Sequence, residues 1–160
     1  MAPVHAWSSD LCTREETTFF SCVTDQEIIS VCNTKKLTQY RSGRVGAIAV
    51  RYPEKDTREP VFFFSEAHAH RYNEAHLRFE AGDKMYVIFD RWNGADLSGS
   101  KDTRTRGVAI FNKAAFPKND ETAVFKRELL VEEKICKKSA GFNPNASPGK
   151  MQIEDFIYGP

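Results

Sequence analysis

Three histidines and two glutamates lie close together in the segment SEAHAHRYNEAH. In an extended chain His68 and His70 would point to the same face, with His76 further along. Glu66 and Glu74 lie nearby, and two histidines with one carboxylate can bind zinc or a related metal. The spacing matches no known metal-site pattern, and polar alanine-rich segments are typical of solvated connections. We therefore expect a surface connection without a bound metal, and a metal-dependent hydrolase is the least favoured hypothesis.

Signals for a catalytic nucleophile are weak. Ser98 and Ser100 flank Gly99, but this SGS run lacks the surroundings of a G-x-S-x-G nucleophile elbow. No glycine-rich segment has the pattern of a phosphate-binding loop. We therefore expect neither an enzyme nor a bound cofactor.

The four cysteines indicate an oxidising compartment. Cys12, Cys22, Cys32 and Cys136 form an even set without the closely spaced pairs that zinc sites use. Two structural disulfides are the favoured interpretation, and four free thiols are the alternative. The first residues, MAPVHAWSSDLC, lack the basic start and apolar stretch of a signal peptide. The residues after Met1 would suit a mature exported chain, which the cysteines lead us to expect, and a cytosolic protein with a polar leader is the alternative.

Three disulfide pairings are open. Cys22 with Cys32 is slightly favoured, because a hairpin would bring the runs that end at these residues side by side; Cys12 would then pair with Cys136. A two-residue turn at Asp25 and Gln26, however, would place Cys22 opposite Ile29 rather than Cys32. The favoured pairing therefore requires a longer loop or a bulge.

Composition excludes two classes of protein. The chain has 160 residues and a formal net charge of +1, which argues against a nucleic-acid partner. No apolar run approaches the roughly 20 residues of a membrane-spanning helix. Twelve Phe and five Tyr favour β-structure, since aromatic rings pack well on pleated surfaces.

The elements that must position these residues are mainly strands. We predict one antiparallel β-rich domain over residues 1–160, either a sandwich, a barrel or a propeller-like fold. The segment 128–136 could be helix or strand, and residues 151–158 could form a short C-terminal helix. The predicted strands are 19–23, 28–32, 37–41, 46–52, 61–65, 76–80, 84–90 and 107–112.

Residues 91–106 have little periodicity and are predicted to form a long loop. Loops of this length are uncommon in compact domains and are often functional. Its LSGSKD centre is narrow enough to enter a cleft, and Trp92 could anchor the base, contact a partner or complete the core. Four basic and two acidic side chains give it a net charge of +2, which would favour an acidic rim on a partner. A surface loop without function is the alternative. The predicted binding residues are Arg91, Trp92, Asn93, Asp96, Leu97, Ser98, Gly99, Ser100, Lys101 and Arg104.

Several segments, in order, resemble a widespread group of small secreted bacterial β-proteins. These segments are LCTREETTFFSC, IISVC, LTQYRSG and YVIFD, followed by the late Cys136. In that group FSC, SVC and YR-Gly elements recur near the mature amino terminus. The resemblance covers roughly residues 11–112, and the residues after Cys136 match no element of it.

Such β-rich periplasmic proteins resemble immunity proteins that protect a bacterium from cell-wall amidases delivered by type VI secretion. The resemblance implies a periplasmic inhibitor whose β-scaffold presents a loop that occludes the active site of a cognate secreted toxin. A small-ligand or cell-wall-fragment binding module is the alternative. It would use an aromatic face around Tyr72, Phe79 and Tyr86.

Overall fold

The computed structural model describes residues 9–95, 98–115 and 127–156. Strands dominate these residues, and short 3₁₀ turns occur at Lys113–Ala115 and Arg127–Leu129. No helix of these ranges is long and apolar enough to cross a membrane. The strands are β1 (Thr17–Val23), β2 (Ile28–Asn33), β3 (Thr38–Arg44), β4 (Ala47–Tyr52), β5 (Phe62–Ala69), β6 (Tyr72–Ala81), β7 (Lys84–Asn93), β8 (Thr103–Asn112), β9 (Leu130–Ile135), β10 (Lys138–Ala140) and β11 (Met151–Ile153).

The strands form two sheets. A five-stranded sheet has the order β10-β1-β2-β3-β4, and a six-stranded sheet has the order β11-β5-β6-β7-β8-β9. Neighbouring strands are antiparallel except β11 and β5, which are parallel. The sheets face each other: Tyr40 of β3 lies 5.0 Å, centroid to centroid, from Phe79 of β6. The mainly-β prediction is therefore confirmed, as a sandwich rather than a closed barrel.

Each predicted strand is present, and the ambiguous segment 128–136 contains strand β9. The β6–β7 hairpin turns at Gly82 and Asp83, where Gly82 has a φ of 61° that glycine adopts without strain. The helix expected over residues 151–158 is wrong where that segment is described. Met151–Ile153 pairs with the edge of β5 and Met151 packs against the core, while residues 157–158 lie outside the described ranges.

The favoured disulfide pairing is also wrong. The bonds join Cys12 to Cys32 and Cys22 to Cys136. The β1–β2 hairpin has a two-residue turn, and Cys22 lies opposite Ile29. Cys32 is three residues from Ile29 and therefore points to the opposite face. Cys22 faces the sandwich interior and reaches the end of β9, whereas Cys32 holds the amino-terminal segment on the outer face.

The inner face of the six-stranded sheet carries two rows of apolar side chains, which we call the core rows. Most of their members are fully buried, and burial of each such side chain contributes roughly 1.5–3 kcal/mol. Tyr40 and Tyr52 of the other sheet pack on them. The first core row is Phe62, Phe79, Tyr86 and Ile110, and the second is Phe64, Leu77, Ile88 and Val108.

Candidate functional site

The same inner face continues into two further rows that are largely polar, which we call the rim rows. They follow the core rows at two-residue intervals, so the same strands β5 to β8 position both. The rim rows lie at the end of the sheet that carries the β5–β6 turn and the β7–β8 connection. The first rim row is Glu66, Ala75, Asp90 and Arg106, and the second is His68, Asn73, Trp92 and Arg104.

The predicted loop at residues 91–106 is shorter than expected. Strand β7 continues to Asn93 and β8 begins at Thr103, so the connection comprises residues 94–102. Arg91, Trp92 and Asn93 therefore belong to β7, and Arg104 belongs to β8. Their backbones are fixed by the ladder of hydrogen bonds between the two strands.

Short contacts clamp the base of this connection. The Ala95 N–H donates to Asp102 Oδ1 at 2.6 Å, and the Gly94 N–H donates to the Arg71 carbonyl at 2.9 Å. The half-buried Trp92 lies against Gly94, where an added Cβ would come within 2.9 Å of the indole ring. Trp92 thus lies at the base of the connection, which is the position required by the first of the three roles considered for it from the sequence.

The tip of the connection is exposed. Ser98, Gly99, Ser100 and Lys101 are all solvent-exposed, and Gly99 has a φ of 88°. An added Cβ at Gly99 would meet no atom within 4 Å. The other two predicted binding residues, Asp96 and Leu97, lie outside the described ranges.

Most of the basic charge predicted for the loop is neutralised within the chain. Arg91 donates to Glu74 through Nε at 3.0 Å and Nη2 at 2.9 Å. Arg104 binds Asp90 in the same bidentate manner at 2.8 and 2.9 Å, and Arg106 Nε lies 3.1 Å from Asp90. The net charge of +2 counted along residues 91–106 is therefore balanced by two carboxylates from strands β6 and β7.

Glu74 holds a buried network on the outer face, directly behind the rim rows. Its side chain is 1 % exposed and accepts hydrogen bonds from Tyr72, His76 and Arg91. Burial acts to raise the pKa of the Glu74 carboxyl, but hydrogen bonds from His76 and Arg91 outweigh it and hold the pKa below its ordinary value. The ionised carboxylate thus fixes β6 to β7 beneath the rim.

The histidines of the segment SEAHAHRYNEAH are not brought together. This segment was expected to be a solvated connection, but it forms the β5–β6 hairpin. His68 is exposed on the inner face, His70 lies in the turn, and buried His76 points to the outer face. Within the described ranges the one group with metal-ligand geometry contains Cys12 and Cys32, whose thiols are consumed by a disulfide.

The aromatic surface proposed for ligand binding does not form. Phe79 and Tyr86 stack at 4.7 Å within a core row, and Phe79 is fully buried. Tyr72 lies on the opposite face with Glu74. The side chains of Phe79 and Tyr86 therefore stabilise the core and do not form a surface together with Tyr72.

A cleft beside the rim rows was not predicted. It has a volume of about 550 Å³ and lies between the six-stranded sheet and the segment 142–148. This segment folds back onto β1: the Asn143 N–H donates to the Phe19 carbonyl at 2.9 Å, and the Ser147 N–H donates to Thr17 Oγ1 at 2.8 Å. The Pro and Asn residues of this segment favour a loop but do not indicate the position of that loop. Apolar lining comes from Phe19, Phe64, Phe142 and Met151, and polar lining from Glu66, His68, Asn73, Asp90 and Arg104.

Comparisons with protein-family models, with curated proteins and with solved structures found no match for this chain.

Proposed function

We propose that the protein is an inhibitor that binds another protein, with the β7–β8 connection at residues 94–102 as its contacting element. The observation that carries this proposal is the combination of an exposed tip with a clamped base. The base is held by the bond between Ala95 and Asp102 and by the ion pairs of Arg91 and Arg104 with Glu74 and Asp90. A connection fixed in this way loses less conformational freedom on binding than a mobile loop does.

The tip suits insertion into a narrow active site. Ser98 and Ser100 are exposed hydroxyls on either side of Gly99, and a hydroxyl can donate and accept hydrogen bonds. Such groups can contact a catalytic Cys–His pair while the loop occludes the cleft around it. The inhibitor has no catalytic activity of its own in this mechanism.

The resemblance of the FSC, SVC and YR-Gly elements to small secreted β-proteins supports the proposal that this inhibitor is a periplasmic immunity protein. Its partner would be a peptidoglycan amidase encoded by the neighbouring reading frame. Two disulfides are consistent with an oxidising compartment such as the periplasm. Because the arginines that flank the connection on β7 and β8 are paired with Glu74 and Asp90, the partner needs shape complementarity to the tip more than a strongly acidic rim.

The test is inhibition of peptidoglycan hydrolysis by that neighbouring amidase. Replacing residues 97–101 with Gly-Ser residues of equal number keeps Asp102 and removes the tip. We expect affinity to fall on the order of 30-fold or more, as for loss of an interface hot spot. The matched control replaces residues 54–59, another exposed connection, and should inhibit normally. Equal inhibition by both variants would contradict the plugging mechanism, and no inhibition by the unaltered chain would contradict the immunity role.

A further inference from the structure

The cleft beside the rim rows is amphipathic and carries one half-exposed charged group of each sign. Phe64, Phe142 and Met151 contribute an apolar floor. Of the charged lining residues, Glu66 and Arg104 are half-exposed, whereas Asp90 is buried beneath Arg104. We propose that this cleft binds a short apolar peptide of about three residues, with its free carboxylate at Arg104 and its free amine at Glu66. This site lies outside residues 94–102 and does not rest on their inhibitory function, although its Arg104–Asp90 ion pair also holds the base of that connection.

Arg104 has hydrogen-bonding capacity to spare. Its side chain is 54 % exposed and uses only Nε and Nη2 to bind Asp90. A guanidinium carries five N–H donors, so the edge formed by Nη1 and the second Nη2 hydrogen can take another carboxylate side by side. A guanidinium is always charged in a protein, and the hydrogen bond to Asp90 raises the pKa of Arg104 further above its ordinary value.

Asp90 does not cancel the positive charge at this end of the cleft. It is 7 % exposed, and its two oxygens contact both Arg104 and Arg106. One carboxylate between two guanidinium groups leaves a local excess of one positive charge. An anionic group therefore suits this end better than a cation does.

Glu66 provides the opposite charge at the other side of the cleft. Its side chain is 54 % exposed, and its Oε2 lies 3.4 Å from His68 Nε2. His68 Nδ1 lies 3.1 Å from Asn73 Oδ1, and the half-exposed Glu66 carboxylate still offers part of its surface to the cleft. An ammonium group suits this position.

The separation of the two ends sets the length of the ligand. Glu66 is paired with Ala75, and Ala75 with Asp90, the residue that binds Arg104. Two inter-strand spacings amount to roughly 10 Å, and three extended residues span about the same distance. The small Ala75 leaves room between the two ends. The first and third side chains of an extended tripeptide point to the same side, towards the apolar floor, and a volume of about 550 Å³ is typical of a small-ligand pocket.

The experiment is calorimetric titration of the full chain with the tripeptide Leu-Ala-Leu at low ionic strength, alongside its N-acetylated and C-amidated forms. Each cap should weaken binding roughly 10-fold, because it removes a charged hydrogen-bonding partner. Arg104→Gln should weaken the free peptide by a similar factor and the amidated peptide no further; Glu66→Gln should behave likewise with the acetylated peptide.

Arg44→Gln and Glu59→Gln are the matched controls, since both residues are exposed and neither lines the cleft; they should bind as the unaltered chain does. If Arg104→Gln fails to fold, the capped peptides on the unaltered chain still decide the question. No binding of Leu-Ala-Leu at millimolar concentration, or equal binding of the capped and free forms, would overturn the proposal.

Discussion

Leu77 and Asn73 lie four residues apart on strand β6 and point to the same face, yet their surroundings are opposite in character. Leu77 is fully buried in a core row between Phe64 and Ile88. Asn73 is exposed in a rim row between His68 and Trp92. One continuous ladder of backbone hydrogen bonds runs through both regions.

This contrast shows how one sheet can provide both stability and a binding surface. Tight packing in the core rows fixes the strands, and the strands then hold the rim side chains without further apolar burial there. A site built on strands is more precise than one built on a free loop. The rim rows can therefore carry exposed charges such as those of Glu66 and Arg104, which the core rows could not accommodate.

Removal of the disulfide that joins the two sheets is expected to have the largest effect. Cys22 and Cys136 are 114 residues apart and connect β1 to the end of β9, whereas Cys12 and Cys32 are 20 residues apart. The chain-entropy model gives a loss of about 5 kcal/mol for the long loop and about 3 kcal/mol for the short one. Urea unfolding of the two double Cys→Ala variants measures both values. The reverse order would mean that the length of the closed loop does not determine how much each disulfide stabilises the fold.

Glu74→Gln tests whether the rim rows are supported from behind. We expect a loss of roughly 2–3 kcal/mol at neutral pH, because Arg91 and His76 lose their ionised partner. Since the folded-state pKa of Glu74 is lowered, its contribution is fully present above its ordinary pKa of 4.5 and is lost as the pH falls through the folded value.

The free energy of unfolding of the Glu74→Gln variant should therefore depend less on pH between neutral and strongly acidic solution than that of the unaltered chain. Urea titrations at several pH values measure this difference. The exposed Glu59→Gln change serves as the control and should leave the pH profile unaltered. An unchanged profile for Glu74→Gln would mean that the buried carboxylate does not stabilise the rim end.

The strands were predictable from sequence because local patterns specify them. Apolar runs and two-residue turns, such as that at Gly82 and Asp83, act over a few residues. A two-residue turn at Asp25 and Gln26 also correctly indicated that Cys22 lies opposite Ile29 and not opposite Cys32. That argument depends only on strand alternation.

The candidate site was less predictable because its parts come from distant segments. Strands β10 and β11 have three residues each and exist through pairing with β1 and β5. The ends of β7 and β8 carry polar residues held by ion pairs to Glu74 and Asp90, so they lack the apolar alternation that marks a strand. The alternation of Thr and Arg over residues 103–106 was the available signal. The cleft required the fold-back of segment 142–148, which no local pattern encodes.

The most direct test of the division between core and rim rows is the free energy of unfolding of two truncations on β6, measured in urea under identical conditions. Leu77→Ala should cost about 2–5 kcal/mol, because it leaves a cavity among buried side chains. Asn73→Ala should change stability by no more than about 0.5 kcal/mol, because Asn73 is exposed and its side chain hydrogen-bonds to His68, which is exposed too. Equal costs for the two truncations would contradict the claim that the core rows stabilise the sheet and leave the rim rows available for binding.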